Sequence, residues 1–494
     1  MVKYFTQQTS LSNFKSTDIT RINTLEEIYE ELKNEKEICL DIETTGLDPL
    51  IHPIVMLQLG IAGKAYVIDV RGVSLEPLRS LLENNNITFI GHNIKFDYNM
   101  LKGRNIILRN VYDTMVADRI INNGLYSPDY IKKHKRYSLA GVYKHYFNFT
   151  PNKTVRDEFV TWGSRPFTEE QITYGALDVK YPLEIKKVQD IWITRYELEK
   201  TLSLEMKVLQ AIGDTEYNGV YIDPEKWMSI YKTYVPRAKE TALKLDKALI
   251  EAAPNYELKA FQQDLFGPTV IERLTDIKWT SDIQVKKILN GVFKIFPKDK
   301  HGKDSSGKAA LNLMHSKHPF TDLLLKHREE TKIIDSFGKK FLEKFVKSDN
   351  RLHSNFNQIV DTGRMSSRNP NMQQIPKGST KEELNNNFRG AFTATNENYK
   401  IITADYSAQE QRVLGDAAND ENFIEFFKVP GQDIHCFIST TMFSAAAGEK
   451  VEVVNDSKHP NYHLRQKGKT LGFMINYGGS AGSLGPTLKI PVEE

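Results

Sequence analysis

Cysteine is almost absent from the sequence: Cys39 and Cys436 are the only two in 494 residues. Two thiols so far apart cannot build a metal cluster by themselves, and no structural disulfide is expected. Long hydrophobic runs are also missing, since no uninterrupted apolar stretch approaches the ~20 residues that span a bilayer. Residues 1–20 are polar and carry no apolar signal core, so a soluble cytoplasmic protein without a membrane partner is expected. Charge of one sign is not in excess either. Lys and Arg number 66 against 63 Asp and Glu, for a net +3 and a pI near 8.4. That balance cannot by itself indicate a nucleic-acid partner, because clustering matters more than the total. What remains is an ordinary globular composition, 40% hydrophobic and 26% charged. Its length predicts two to four domains, as one core seldom organises more than ~250–300 residues.

Residues 1–30 read as an N-terminal lead-in, loosely held up to residue 24. Helical spacing runs over Leu25–Leu32, and strands are predicted at 38–42, 54–61, 65–70 and 87–90. Strands mixed with helices at this spacing predict an α/β layer fold over residues 31–195. Residues 196–350 change character to long helical patterns with many lysines. Ile334, Phe337, Phe341 and Phe345 fall on one apolar helix face, and lysines 326, 332, 339, 340, 344 and 347 crowd the same segment. Residues 297–308 are a polar loop. From Arg351 to residue 494, β and turn signals return and give way to helices. There are no internal repeats.

Asp41 and Glu43 lie two apart on a predicted strand, so both project from one face. Carboxylates that close repel unless a cation neutralises them, and hard oxygen ligands favour Mg²⁺, with Mn²⁺ as the substitute. A third acid, Asp97, follows the strand end at Gly91-His92-Asn93. Tyr174 and Asp178 are four apart in a helical pattern and share a face. A lone acid pair on a strand is most often a solvated surface. Acids in three segments, each beside an apolar run, suit two-metal phosphodiester hydrolysis instead.

The segments LDIETTGLD, GHNIKFDYNML and YGALDVKYPLEI resemble the three exonuclease motifs of the DnaQ-like superfamily, in its tyrosine-containing branch. The resemblance implies an RNase H-like 3′–5′ exonuclease domain. It makes Asp41, Glu43, Asp97 and Asp178 metal ligands, and Tyr174 the residue that orients the attacking water.

A second set of motifs resembles family A, polymerase I-like enzymes. TGRMSS followed by NPNMQQIP is a turn-rich run dense in hydrogen-bonding side chains, from which Arg364, Asn371 and Gln374 are candidate duplex contacts. IITADYSAQEQR reads as a strand ending in an acid and then a helix start. It resembles the first palm motif, which makes Asp405 a catalytic metal ligand and Glu410 the residue that excludes a ribose 2′-hydroxyl. Position 408 is Ala where the family usually carries Gln. Asp433-Ile434-His435 resembles the nucleotide-site histidine segment. Arg465, Lys469, Phe473 and Tyr477 recur every four residues on one helix face. By resemblance Arg465 and Lys469 bind the incoming triphosphate, Lys469 protonates pyrophosphate, Phe473 packs beside the sugar, and Tyr477 lies near the templating base. LLLKHREETKIIDSFGKKF resembles a thumb helix, whose lysines would then track phosphates.

The resemblance implies a DNA-directed DNA polymerase with 3′–5′ proofreading in replication. Its parts would be a helical linker and thumb (196–350) and a partial α+β palm and fingers (351–494). Primer–template DNA and dNTPs would be its partners, and a bacterial or phage-infected cell its setting. The exonuclease begins almost at once, a layout common among phage polymerases. No His-Asp-Glu-type palm motif follows Tyr477, so a second polypeptide or further segment completing the palm is expected, and polymerisation by these residues alone is not. A stand-alone 3′–5′ exonuclease with a vestigial polymerase part is the competing reading. A non-catalytic DNA-binding module is the third, and the intact acids argue against it.

Overall fold

The computed structural model describes residues 1–7, 18–150, 159, 163–254, 274–299, 301–312, 314, 318–360, 362–377 and 387–480. Part of the predicted lead-in (8–17) and the end of the predicted palm and fingers (481–494) lie outside the described residues. The chain forms two compact units, Met1–Tyr221 with Phe345–Ile375, and Ile222–Lys344 with Pro376–Glu494.

The first unit is built on a seven-stranded sheet ordered β2-β1-β5-β4-β3-β6-β7. Its strands are β1 Val2–Phe5, β2 Ile19–Arg21, β3 Glu37–Thr44, β4 Ile54–Ile61, β5 Lys64–Asp69, β6 Thr88–Gly91 and β7 Val111–Asp113. β4 runs antiparallel to both β3 and β5, and the other pairings are parallel. The helices are α1 Leu25–Leu32, α2 Arg79–Leu82, α3 Lys95–Lys102, α4 Thr114–Ile121, α5 Pro128–His134, α6 Leu139–Phe147, α7 Glu169–Arg195 and α8 Glu199–Asn218. β8 Val220–Tyr221 pairs with β9 Arg351–Leu352, and β10 Asn355–Asn357 with β11 Ser366–Arg368. Seven of the eight residues of β4 are buried, because the sheet is covered on both faces and period-two alternation gives way to a continuous apolar run.

Two expectations change here. The N-terminus is part of the sheet rather than a lead-in, since β1 pairs with β5 and buries Tyr4 and Phe5. Four residues are too few for an alternation to stand out in sequence. The glue is Glu31 of α1, which accepts from Lys3, from Lys64 at 2.8 Å and from the Tyr66 hydroxyl at 2.6 Å. The second change is the boundary expected near residue 195. α8 belongs to this unit, with Met206 and Leu209 in its core, Lys95 paired to Glu216 at 2.6 Å and Tyr98 bonded to Asp214 at 2.7 Å. So does the segment 345–375, which was assigned to the polymerase part.

The second unit is mainly helical: α9 Pro224–Ala252, α10 Asp282–Gly291, α11 Lys308–Asn312, α12 Pro319–Phe337, α13 Lys339–Phe345, then helices at Gln409–Ala417, Glu421–Lys428, Ile434–Ala447 and Tyr462–Asn476, here α14 to α17. α9 packs along α12 through Leu245, Leu249, Phe320 and Leu324, with Trp279 beside them. Buried Asp246 accepts from the Trp279 indole at 2.9 Å and the Thr275 hydroxyl at 2.7 Å. Trp227 stacks on Phe341, its centroid 4.8 Å away, and donates to the Phe337 carbonyl at 2.8 Å. The single apolar helix face expected from Ile334 to Phe345 is broken at Gly338, where a Cβ would stand 2.7 Å from the Ile334 carbonyl and 2.9 Å from Tyr231. Lysines 326, 332, 339, 340 and 344 are exposed, whereas Lys347 lies in the first unit and pairs with Asp48. The strand expected before Asp405 is not formed: Ile402 is 91% exposed, and among the described residues nothing pairs with 401–404. A strand without a ladder partner leaves its amides to water, and its apolar pattern is then insufficient.

Candidate active site and nucleotide-binding helices

The turn chemistry of the first unit sets its acids. Asp41 and Glu43 sit on β3 opposite Gln58 and Met56 of β4. α7 begins at a capping box, with the Thr168 hydroxyl accepting the Gln171 amide at 3.2 Å and the Gln171 side chain accepting the Thr168 amide at 3.1 Å. It then lies directly on β4. A Cβ on Gly60 would stand 2.8 Å from Val179, and one on Gly175 would stand 3.0 Å from the Met56 sulfur. This close approach carries Tyr174 and Asp178 onto β3. Ligand oxygens of Asp41, Glu43 and Asp178 all lie within 4.8 Å of one another.

These three acids, Asp97 and Tyr174 line one cavity of about 420 Å³. Asp97 is 3% exposed and lies outside the triad. Burial and the neighbouring carboxylates Asp178 and Glu43 push the Tyr174 phenol far above its ordinary range, so it stays protonated and can donate. Glu43 and Asp178 are buried and Asp41 half-buried, an arrangement that like charges resist without a cation. The donor set is all carboxylate oxygen, which fits Mg²⁺ or Mn²⁺ better than a soft metal.

Sequence reasoning missed several residues of this cavity. Asp113 is buried, and its Oδ1 accepts from the amides of Asn93 at 2.9 Å and Met115 at 2.8 Å, fixing the turn ahead of Asp97. Burial pushes its carboxyl above the usual range. Arg119 donates to the Ile359 carbonyl at 3.1 Å and lies over the Tyr137 ring. Phe356, Gln358, Ile359 and Arg368 reach the cavity from the β10–β11 hairpin, a contact no local pattern encodes. Of the expected duplex contacts, Arg364, Asn371 and Gln374 are exposed, and Asn371 caps the short 3-10 turn Met372–Gln374. All three fall in the first unit.

In the second unit, α16 and α17 lie against each other: the Ser439 hydroxyl donates to the Leu464 carbonyl at 3.2 Å, and Gly468 leaves room for Ser439. Asp433 caps α16 and accepts from Arg465 at 2.6 and 3.0 Å. Burial pushes the Asp433 carboxyl up, but Arg465 and the Cys436 amide outweigh it and hold it below the usual range. His435 is buried beside Phe473, with ring centroids 5.7 Å apart, and Lys469 stands over the same ring at 5.9 Å. Burial and then Lys469 lower the His435 pKa, which favours a neutral imidazole. Asp433, His435, Arg465, Lys469 and Phe473 therefore come together, while Tyr477 is 67% exposed. Asp405 is exposed on irregular backbone just before α14, which carries Glu410.

Comparisons with known proteins agree with both halves. The family model for 3′-5′ exonuclease matches residues 17–188, and that for DNA polymerase family A matches residues 256–494. DNA polymerase I of Aquifex aeolicus is 26% identical over 493 residues, covering 96% of this chain and 74% of that protein. DNA polymerase I of Borreliella burgdorferi is 27% identical over 500 residues, covering 98% of this chain and 49% of that one, so the chain spans about half its length. A solved polymerase domain of Pol1 from M. smegmatis, in complex with DNA primer-template and dNTP, matches with a TM-score of 0.69 at 24% identity, over 95% of this chain and 73% of that one, and supports the fold. The chain belongs to the family A, polymerase I-like DNA polymerases and carries a 3′-5′ exonuclease domain ahead of the polymerase domain.

Proposed function

We propose that the first unit removes nucleotides one at a time from DNA 3′ ends and that the second binds primer–template and dNTP for template-directed synthesis. The observation that carries the exonuclease half is the carboxylate cluster of Asp41, Glu43 and Asp178 beside a protonated Tyr174. With Asp97, these acids would hold divalent cations, Mg²⁺ by preference. Bound there, the cations would supply an activated water and charge stabilisation of the phosphoryl group. The protein's own part is to seat the 3′ end against the acids and to orient the water through the Tyr174 hydroxyl. For the second unit, Lys469 and Arg465 are the triphosphate contacts, with Arg465 held in place by Asp433. Phe473 would pack beside the sugar, Tyr477 near the templating base, and Glu410 would act against ribonucleotides. Asp405 would be the palm metal ligand. Since one carboxylate side chain cannot by itself hold two metals in the arrangement phosphoryl transfer requires, polymerisation would draw on another acid, supplied by a further segment or second polypeptide. The duplex would also meet Arg364, Asn371 and Gln374, which are folded with the first unit. A phage-type enzyme acting in the cytoplasm is the setting these proposals suit. Among the described residues no helix is long and apolar enough to cross a membrane.

A second reading, an exonuclease whose polymerase part only binds DNA, is favoured by Asp405 lying exposed on irregular backbone. A 5′-labelled primer on a template, with a paired or a mispaired 3′ end, tests both readings. Proofreading predicts a ladder of shortened primers in Mg²⁺, formed faster from the mispaired end. Equal rates on both ends would contradict a proofreading role. Extension on addition of dNTPs, by the chain together with a completing segment, would exclude the second reading.

A further inference from the structure

The carboxylate cavity adjoins a second one of about 470 Å³, and Leu47, Asn93, Lys95, Phe96 and Arg368 line both. None of the four candidate metal ligands lines the second cavity, whose charged residues are Asp48, Lys95, Glu216, Lys347 and Arg368. Its acids are already spent. Lys347 pairs with Asp48 at 2.6 Å; Lys95 pairs with Glu216 at 2.6 Å and also donates to the Phe356 carbonyl at 2.6 Å. Arg119 of the first cavity is likewise engaged, by the Ile359 carbonyl and the Tyr137 ring. Arg368 is different: it is exposed, and among the described residues its guanidinium meets neither a carboxylate nor another acceptor. Its backbone is nevertheless fixed. Arg368 is in register with Asn355 on β10, its carbonyl accepts from the Ser354 hydroxyl at 3.3 Å, and the neighbouring Ser367 hydroxyl accepts from the Met372 amide at 2.9 Å. Here the uncompensated charge stands on a held hairpin at the junction of two cavities.

We propose that Arg368 grips a backbone phosphate of the single strand whose 3′ end occupies the carboxylate cavity, with the second cavity taking the nucleotide on the 5′ side. The planar guanidinium presents two parallel N–H donors to two oxygens of one phosphate, a fixed fork that the point-like ammonium of a lysine lacks. This inference rests on the exonuclease reading and adds to it the residue that holds the substrate in register. The hairpin that carries Arg368 thereby serves the exonuclease unit, in which it is folded.

Two measurements test it. In steady-state cleavage of a 5′-labelled single strand, Arg368→Ala should raise KM roughly tenfold with kcat within about twofold of wild type. The slope of log kcat/KM against log salt should become shallower by about 0.7, the loss of one phosphate contact on a single strand. Arg368→Lys should restore the salt slope but only part of the KM. A wild-type KM and slope in Arg368→Ala, or a fall in kcat without a rise in KM, would overturn the proposal. The second measurement does not need cleavage: in an Asp41→Ala background, fluorescence anisotropy with a labelled single strand should give a roughly tenfold weaker Kd on adding Arg368→Ala. An unchanged Kd overturns the Arg368 assignment, whereas absence of cleavage by wild type with this Kd effect intact overturns only the exonuclease reading.

Discussion

Tyr174 is the residue whose chemistry depends most on its neighbours. Its phenol is pushed up by burial and by the carboxylates of Asp178 and Glu43, so the hydroxyl persists through and above the ordinary tyrosine range near pH 10. Tyr174→Phe should lower kcat roughly 10- to 100-fold with little change in KM, the signature of a lost orienting contact. Gln58 makes a different point. It is fully buried beside Asp41 on the neighbouring strand, and neither side-chain polar atom has a partner among the described residues. Replacing it by Met keeps the volume and removes an unmet polar group, so Gln58→Met should stabilise the protein by about 1 kcal/mol in urea denaturation. Asp41, Glu43, Tyr174 and Asp178 were legible in sequence because two- and four-residue spacings place side chains on shared faces, and Asp97 because it follows a strand end within a recognisable motif. Arg368 was not, because the contact is made by a hairpin distant in the chain.

At the scale of elements, one helix on one sheet creates the site. α7 reaches β4 only because Gly60 and Gly175 have no side chains there, so Gly60→Val should push α7 off the sheet. Overpacking of that kind costs about 1–3 kcal/mol, and it should reduce exonuclease activity far more than single-strand binding to the second cavity. The sheet's outer edge depends on Glu31. Its carboxyl is held at about 2 by hydrogen bonds from Lys3, Lys64 and Tyr66. A carboxyl lowered in the folded state contributes stability above its unfolded pKa of about 4.3, and that stability is lost as pH falls towards about 2. Glu31→Gln should accordingly cost about 1 kcal/mol at neutral pH, a value discounted for partial exposure, and about half of that at pH 3. Urea midpoints at the two pH values measure the difference. Strands 54–61 and 25–32 as a helix were readable from long, strongly patterned runs. β1 was too short to read. The strand before Asp405 has the right pattern but no described partner, and sequence pattern does not report whether a ladder neighbour exists.

Across the whole molecule, the two constellations differ in how much of each is assembled. The acids proposed for the exonuclease converge on one cavity, whereas Asp433, His435, Arg465, Lys469 and Phe473, proposed for the nucleotide, gather on a pair of helices while Asp405 is exposed on irregular backbone. The family assignment was legible from motif order, because those motifs are dense in residues with one chemical purpose. The division into units was less so, since α8 and the hairpin at 355–368 join the first unit through packing between distant segments. The most direct test of the account is cleavage of a 5′-labelled single-stranded oligonucleotide by the purified chain and its Asp41→Ala variant, each in Mg²⁺ and in EDTA. A carboxylate-held metal site predicts stepwise shortening by wild type in Mg²⁺, at least about 100-fold less by the variant, and none in EDTA. Equal shortening by Asp41→Ala, or no shortening by wild type in Mg²⁺ or Mn²⁺, would contradict it.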